Sequence, residues 1–159
     1  MTTNEFDSIK SLALLSDTHG LLRDSVTAAL QDVDLIIHAG DIGNRSLLQR
    51  LEAIAPVIAV RGNVDHKLLY LPLAEVASVD GRLIYVLHDL SLLDLDPATA
   101  GFAMVVSGHS HRPRIHRQNG VLYVNPGSIG PRRFRLPISL AKVTFDRQEL
   151  KVRLIELTE

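Results

Sequence analysis

Apolar runs along this chain stop, one after another, at short polar clusters. "SLALL" from residue 11 runs into "SDTHG", "LIIHA" ends at Gly40 and Asp41, and "PVIAV" ends at Arg61, Gly62 and Asn63. Runs that are apolar throughout, rather than alternating, predict strands buried on both faces, here over 11–16, 34–41 and 56–63. The segments between them carry helical spacing instead. Val26, Ala29 and Leu30 share one face of a helix over 24–31 with Asp24 as its N-cap. Leu47, Leu48, Leu51 and Ile54 stripe a second helix capped by Asn44 or Ser46. Strand, helix, strand, helix, strand in succession predicts a parallel sheet with right-handed crossovers.

After residue 72 the pattern changes. Two extended runs flank Asp80-Gly81 and two more flank Asn119-Gly120, both two-residue hairpin signals; a third pair turns near Asp146 to Gln148. Asp96 and Pro97 open a short helix ahead of the strand "FAMVV". A first half rich in βα units and a second half mostly of strands indicate an α/β layered sandwich with mixed sheets, not a doubly wound nucleotide fold.

With 159 residues and 46% hydrophobic content, the chain suits one domain over 1–159. Its first ten residues, "MTTNEFDSIK", read as a mobile lead-in, because two acids precede any apolar run and a secretory signal needs the reverse. No apolar stretch reaches the ~18–20 residues that span a bilayer. Zero cysteines exclude disulfides and thiolate metal sites and fit a cytoplasmic setting. A net charge of −1, 4% aromatics and no Trp leave no nucleic-acid surface in evidence. "KLLYLPL", 67–73, is an apolar stretch suited to a contact in a homo-oligomer.

The polar clusters carry the chemistry. Asp17, His19, Asp41, Asn63, His88, His109 and His111 all follow a strand, and residues beyond the carboxyl ends of strands converge on one crevice. If the strand continued through "SGHSH", alternation would aim His109 and His111 to the same side, with Pro113 ending it. Two carboxylates among imidazoles call for a cation between them. Seven N/O ligands exceed one tetrahedral zinc and suit two ions, with Asp41 as the bridging carboxylate. Such donors fit Mn²⁺, Fe, Zn²⁺, Co²⁺ or Ni²⁺, of which Mn²⁺ is the first to test. His38 reads as a buried histidine bonded to backbone. His66 and His116 read as solvated, and Asn125 as a turn residue, with a contact to substrate or to the residues behind the ligands as its alternative. Arg132, Arg133 and Arg135 read equally as a phosphate-binding patch or a solvated loop.

"SDTHG", "HAGDI", "RGN", "SGHSHRP" and "VNPGSIG", in this order and spacing, resemble the calcineurin-like metallophosphoesterase superfamily. Within it the chain is similar to small phosphodiesterases of the YfcE type, over about residues 11 to 155. The resemblance implies a four-layer αββα sandwich with two metals at the strand ends. Asp17, His19 and His111 would hold one ion; Asn63, His88 and His109 would hold the other; Asp41 would be shared, and Asp41 and Asn63 stand as the catalytic candidates. The implied reaction is hydrolysis of a small phosphate-ester substrate, most simply a phosphodiester, by a hydroxide between the metals. Two positions depart from the pattern. Val64 stands where many relatives carry His or Cys, leaving His66 as the nearest substitute acid, and Asp89-Leu90 replaces Gly-His. The same superfamily holds a retromer-type scaffold subunit, so a non-catalytic protein-interaction module is the rival reading, with a nucleotide phosphatase or nuclease as the alternative among enzymes.

Overall fold

The computed structural model describes residues 2–146 and 149–158. Its elements are β1 (Thr3–Phe6), β2 (Ser11–Leu15), α1 (Asp24–Ala29), β3 (Leu35–His38), α2 (Arg45–Glu52), β4 (Val57–Ala59), β5 (Ala74–Val79) and β6 (Arg82–Leu87). A 3-10 turn (Leu90–Leu92), α3 (Pro97–Ala100), β7 (Phe102–Val106), β8 (Arg114–Gln118), β9 (Val121–Asn125), β10 (Ile138–Phe145) and β11 (Leu150–Leu157) complete them. Two mixed sheets result, ordered β1-β5-β6-β7-β9-β8 and β11-β10-β2-β3-β4. In the second sheet β2, β3 and β4 are parallel, as the βα pattern requires, and β10 joins β2 antiparallel.

The sheets face each other across a core built from Leu12, Leu14, Leu35 and Ile37 on one side and Ile84, Val86, Met104 and Val106 on the other. The opposite face of the β2-β3 sheet, through Ala13, Leu15 and Ile36, buries Val26 and Leu30 of the α1 region and Leu47, Leu48 and Leu51 of α2. Strands buried on both faces explain their unbroken apolar runs. The outer face of the six-stranded sheet is covered more thinly, by Leu93 and Leu95 over Tyr85, Leu87 and Val105. These are the four αββα layers, and the last consists of little more than the 3-10 turn and the one-turn α3.

Local chemistry sets most boundaries. Asn44 caps α2 by accepting from Leu47 N at 2.9 Å, and Asp96 caps α3 by accepting from Ala98 N at 3.2 Å. Asp80-Gly81 and Asn119-Gly120 have positive φ at both positions, the mirror-image turn that fits strand twist. The expected Asp24 cap is displaced by one residue. Arg23 occupies the N-cap, its guanidinium donating to the carbonyls of Ile129 and Gly130 at 2.6 Å each, while Asp24 lies in the positive first turn. The expected turn at Asp146 to Gln148 falls largely on Arg147 and Gln148, outside the described residues.

The lead-in reading of residues 1–10 is corrected. Thr3–Phe6 is an edge strand pairing parallel with β5, Thr3 opposite Val76 and Phe6 opposite Val79. Asp80 then clamps the exit, its two carboxylate oxygens accepting from Ser8 N at 2.7 Å and Ile9 N at 3.1 Å. A short edge strand is held by backbone pairing and so needs almost no apolar signal of its own.

His38, at the end of β3, ties two of the polar turns together. Its Nδ1 accepts from Gly40 N at 3.1 Å, so Nε2 carries the proton and donates to Thr18 Oγ1 at 3.0 Å; Thr18 in turn donates to Ile42 O at 2.8 Å. The ring is fully buried and neutral, and burial pushes its pKa down from 6.5 to about 4. Between those values the unfolded chain binds a proton that the native ring refuses. The contribution is therefore complete above pH 6.5 and is lost as pH falls toward 4, at about 1.4 kcal/mol per pH unit and roughly 3 kcal/mol in all. In chelator-treated protein, urea unfolding at pH 7 and pH 5 should show a smaller acid loss for His38→Gln than for the parent. Equal losses would contradict this account.

Candidate metal centre

The seven singled-out residues lie on loops at the carboxyl ends of β2, β3, β4, β6 and β7. Six of them form two groups. Asp17, His19 and His111 bring one ligand atom each within 4.8 Å of one another, and so do Asp41, His88 and His109. Asn63 is exposed and borders a cavity of about 350 Å³ with His88 of the second group, Asp89 and Leu92.

The two groups meet at Asp41. Its Oδ2 lies 3.2 Å from His88 Nε2 in one group and 3.7 Å from His19 Nε2 in the other, while Oδ1 accepts from Val64 N at 3.1 Å. Asp17 uses its oxygens in the same divided way. Oδ2 accepts from Ser16 Oγ at 2.7 Å and His109 N at 3.1 Å, and Oδ1 faces His111 Nε2 at 3.3 Å and His88 Nε2 at 3.9 Å. His88 Nδ1 donates to the Ala39 carbonyl at 2.8 Å, which fixes the tautomer with the Nε2 lone pair turned inward. His19 and His111 point Nε2 at Nε2 across 3.4 Å.

Among the described residues, Asp17 Oδ1, His88 Nε2 and His111 Nδ1 are buried without a hydrogen-bond partner. Each such atom costs about 1–3 kcal/mol. Neutral imidazoles and carboxylates held within 4 Å of one another are stable only with positive charge between them, from protonated rings or a cation, and the donor set of imidazole nitrogens and carboxylate oxygens is that of a first-row divalent ion. The residues fit a metal pair.

The charges respond accordingly. Burial pushes Asp17 upward, but His111, Ser16 and His88 outweigh it and hold the carboxyl below its ordinary value. Asp41 is likewise raised by burial and lowered on balance by His88 and the Val64 N–H. Burial lowers His19, and Arg133 and His111 add to that against the pull of Asp41 and Asp17. His88 is raised overall: burial opposes it, and Asp41 and Asp17 prevail.

Backbone geometry aims these groups. Asp17, His19, Asp41, His109 and His111 all have φ between 46° and 73°, the left-handed region that a non-glycine residue enters at a cost of about 1–2 kcal/mol. The expected extended run through His109 and His111 is thereby corrected. β7 stops at Val106, and the two rings leave a tight loop toward different groups, His111 to Asp17 and His19, His109 to Asp41 and His88. Such a loop needs close backbone approach. A Cβ on Gly62 would collide with Asp41 Oδ1, and one on Gly108 with Ser16 Oγ.

Bracing residues escaped the sequence reading. Asp65, 2% exposed, accepts from the amides of Ile42, Gly43 and Gly62 at 2.8–3.1 Å and so pins the Asp41 loop to the Asn63 loop. Its only signal was an acid two residues after Asn63. Asn125, expected as a turn residue, also donates to Gly108 O at 2.9 Å and Ser110 Oγ at 3.1 Å, holding the His109 loop. His38 is the backbone-bonded histidine expected, and His66 is exposed, with no contact to either ligand group among the described residues. His116 differs from expectation: it is half-buried and stacked on Tyr123 at 5.0 Å.

Residues 11–148 match the calcineurin-like phosphoesterase superfamily domain. A probable metallophosphoesterase of Methanocaldococcus jannaschii is 33% identical over 162 residues, taking in 93% of this chain and 82% of that protein. Among solved structures, a novel archaeal phosphodiesterase shares the fold with a TM-score of 0.76 at 19% identity, covering 91% of this chain and 99% of its own. Vacuolar Protein Sorting 29 from Cryptosporidium parvum does so with a TM-score of 0.70 at 17% identity, covering 95% and 99%. The matched span runs from β2 past β10 and contains both ligand groups and every loop that braces them, and on that ground the chain belongs to the calcineurin-like phosphoesterase superfamily.

Proposed function

We propose that the chain is a metal-dependent hydrolase of phosphodiesters. The observation that carries this reading is the convergence of four imidazoles and two carboxylates with buried ligand atoms left unpartnered. Asp17, His19 and His111 would hold one ion, Asn63, His88 and His109 the second, with Asp41, which lies between the two groups, shared. Two divalent ions there supply the positive charge that makes water acidic enough to attack at neutral pH and that offsets charge on the phosphoryl oxygens.

The chain's own residues set the rest. Ala39 O and Ser16 keep His88 and Asp17 oriented before substrate arrives, so little reorganisation accompanies the reaction. As water oxygen bonds to phosphorus, the ester bond breaks and its electron pair leaves with the departing oxygen. Val64 has no proton to offer, and its amide is already used by Asp41. The leaving group therefore carries its own charge.

Asp89 favours a diester over a monoester. Its Oδ2 lies 4.0 Å from His109 Nε2, at the rim of the second group, and hydrogen bonds from Ser91 hold the carboxyl below its ordinary value. A monoester dianion brings one more negative charge to this carboxylate than a diester does. The archaeal neighbour described as a phosphodiesterase supports the same choice.

Two observations favour the scaffold reading: the fold is shared with Vacuolar Protein Sorting 29, and Leu69, Tyr70, Leu73, Leu92 and Phe134 are large apolar side chains left 63–93% exposed.

Protein reconstituted with Mn²⁺ should bind about two equivalents per chain. By elemental analysis after dialysis, Asp41→Asn should lower occupancy of both sites, whereas His111→Ala and His109→Ala should each cost one. Parent-like metal content in all three variants would remove the assignment. Hydrolysis of bis(p-nitrophenyl) phosphate should require added metal, disappear with chelator and fall by at least ~10²-fold in His19→Ala. Across substituted phenyl and alkyl diesters, rate should drop steeply with leaving-group pKa, and Val64→His should help alkyl esters most, by up to ~10². Folded, metal-loaded protein with no turnover of any aryl diester would favour the scaffold. Asp89→Asn should raise kcat/KM for p-nitrophenyl phosphate about tenfold relative to the diester; an unchanged ratio would clear Asp89 of that role.

A further inference from the structure

A cavity of about 330 Å³ lies beside the second ligand group, between Asp89 and the β8-β9 hairpin. His109 borders it on the side of the ligand cluster, and its other walls include Arg112, Arg114, His116, Tyr123 and Asn125. Arg112 and Arg114 form no ion pair with a described carboxylate, although the chain has acids to spare on its surface. Facing strands place His116 directly opposite Tyr123, and their rings stack at 5.0 Å and 11°. Stacking occupies one face of each ring. His116 Nδ1 is shielded from solvent and unpartnered among the described residues. The cavity thus combines two uncommitted guanidiniums and a π surface next to the point where phosphorus would react.

We propose that this cavity is the subsite for one ester arm of the substrate, an arm carrying a planar ring and a second phosphate. The inference rests on the phosphodiesterase reading for its catalytic consequence. Guanidinium forks match phosphate oxygens in geometry and charge, and the stacked pair offers the ring a flat apolar wall. Asp89 also borders the cavity and offsets one of the two cations, so the wall keeps a net positive charge; its Oδ1 is engaged by Ser91 N and Oγ at 3.0 and 2.8 Å and its Oδ2 is turned to His109. Asn125, committed to the His109 loop, keeps the cavity floor in register with the ligand group. The apolar cavity on the other side of Asp89, bordered by Leu73, Tyr85 and Leu92, is left for the second arm.

The test compares p-nitrophenyl thymidylate with its derivative bearing a second phosphate on the sugar, which share leaving group and ring. The second phosphate should lower KM about tenfold with kcat unchanged. The double substitution Arg112→Ala with Arg114→Ala should erase that gain while turnover of bis(p-nitrophenyl) phosphate stays within about twofold of the parent. Independently of turnover, thymidine bisphosphate added to chelator-treated protein should shift the His116 ring signals in NMR spectra, and should not in the double variant. If diesters are hydrolysed but the second phosphate brings no advantage, the subsite is overturned and the phosphodiesterase reading stands. If no diester is hydrolysed, that reading fails, and the bisphosphate titration alone decides: a His116 shift abolished in the double variant upholds the subsite, and its absence from the parent overturns it.

Discussion

Two carboxylates, Asp17 and Asp41, are held almost out of reach of solvent at the ends of neighbouring parallel strands, with imidazole nitrogens turned toward them. Everything around them serves to keep that crowded arrangement from relaxing. Ser16 and the His109 amide take one oxygen of Asp17, the Val64 amide takes one of Asp41, and Ala39 O fixes the His88 tautomer. Each brace leaves a lone pair aimed inward. The arrangement is stable only because the loops cannot move apart, and they cannot because Asp65 and the His38–Thr18 pair join them through buried hydrogen bonds.

The sandwich supplies the rigidity. Strands β2, β3 and β4 are buried on both faces, so their carboxyl ends cannot shift without opening apolar contacts with β5, β6 and β7 on one side or with α1 and α2 on the other. Five ligand residues in the left-handed region then represent strain that packing sustains, of the kind that gathers where side chains must be aimed. The thin fourth layer has the opposite effect. Covering the outer face of the six-stranded sheet only in part, it leaves cavities on both sides of Asp89 at the edge of the ligand cluster.

This asymmetry gives meaning to the two departures from the superfamily pattern. Under the phosphodiesterase reading proposed above, Val64 in place of an acid would offer no proton to the leaving oxygen, and Asp89 at the rim would disfavour substrates that carry a second charge on the reacting phosphorus. A second charge farther out, on an ester arm, meets Arg112 and Arg114 instead.

Much of this is local and therefore legible in the chain. Unbroken apolar runs mark strands buried on both faces, Asn44 and Asp96 cap helices from their own side chains, Asp80-Gly81 and Asn119-Gly120 dictate hairpin turns, and polar residues clustered after successive strands announce one crevice. What the tertiary structure alone decided depends on partners distant in sequence. β1 exists because β5 offers it an open edge some seventy residues away, a pairing that four mostly polar residues do not advertise. His109 and His111 leave the extended geometry their spacing suggests because Asp17 and Asn125 hold the loop from other strands. Asp65 and the stacked His116 look like solvated residues in isolation, and they become a brace and a cavity wall only once the strand ends and the hairpin stand beside them. Side-chain periodicity fixes which residues turn inward, but which inward-turning groups meet is set by how the two sheets and their loops pack.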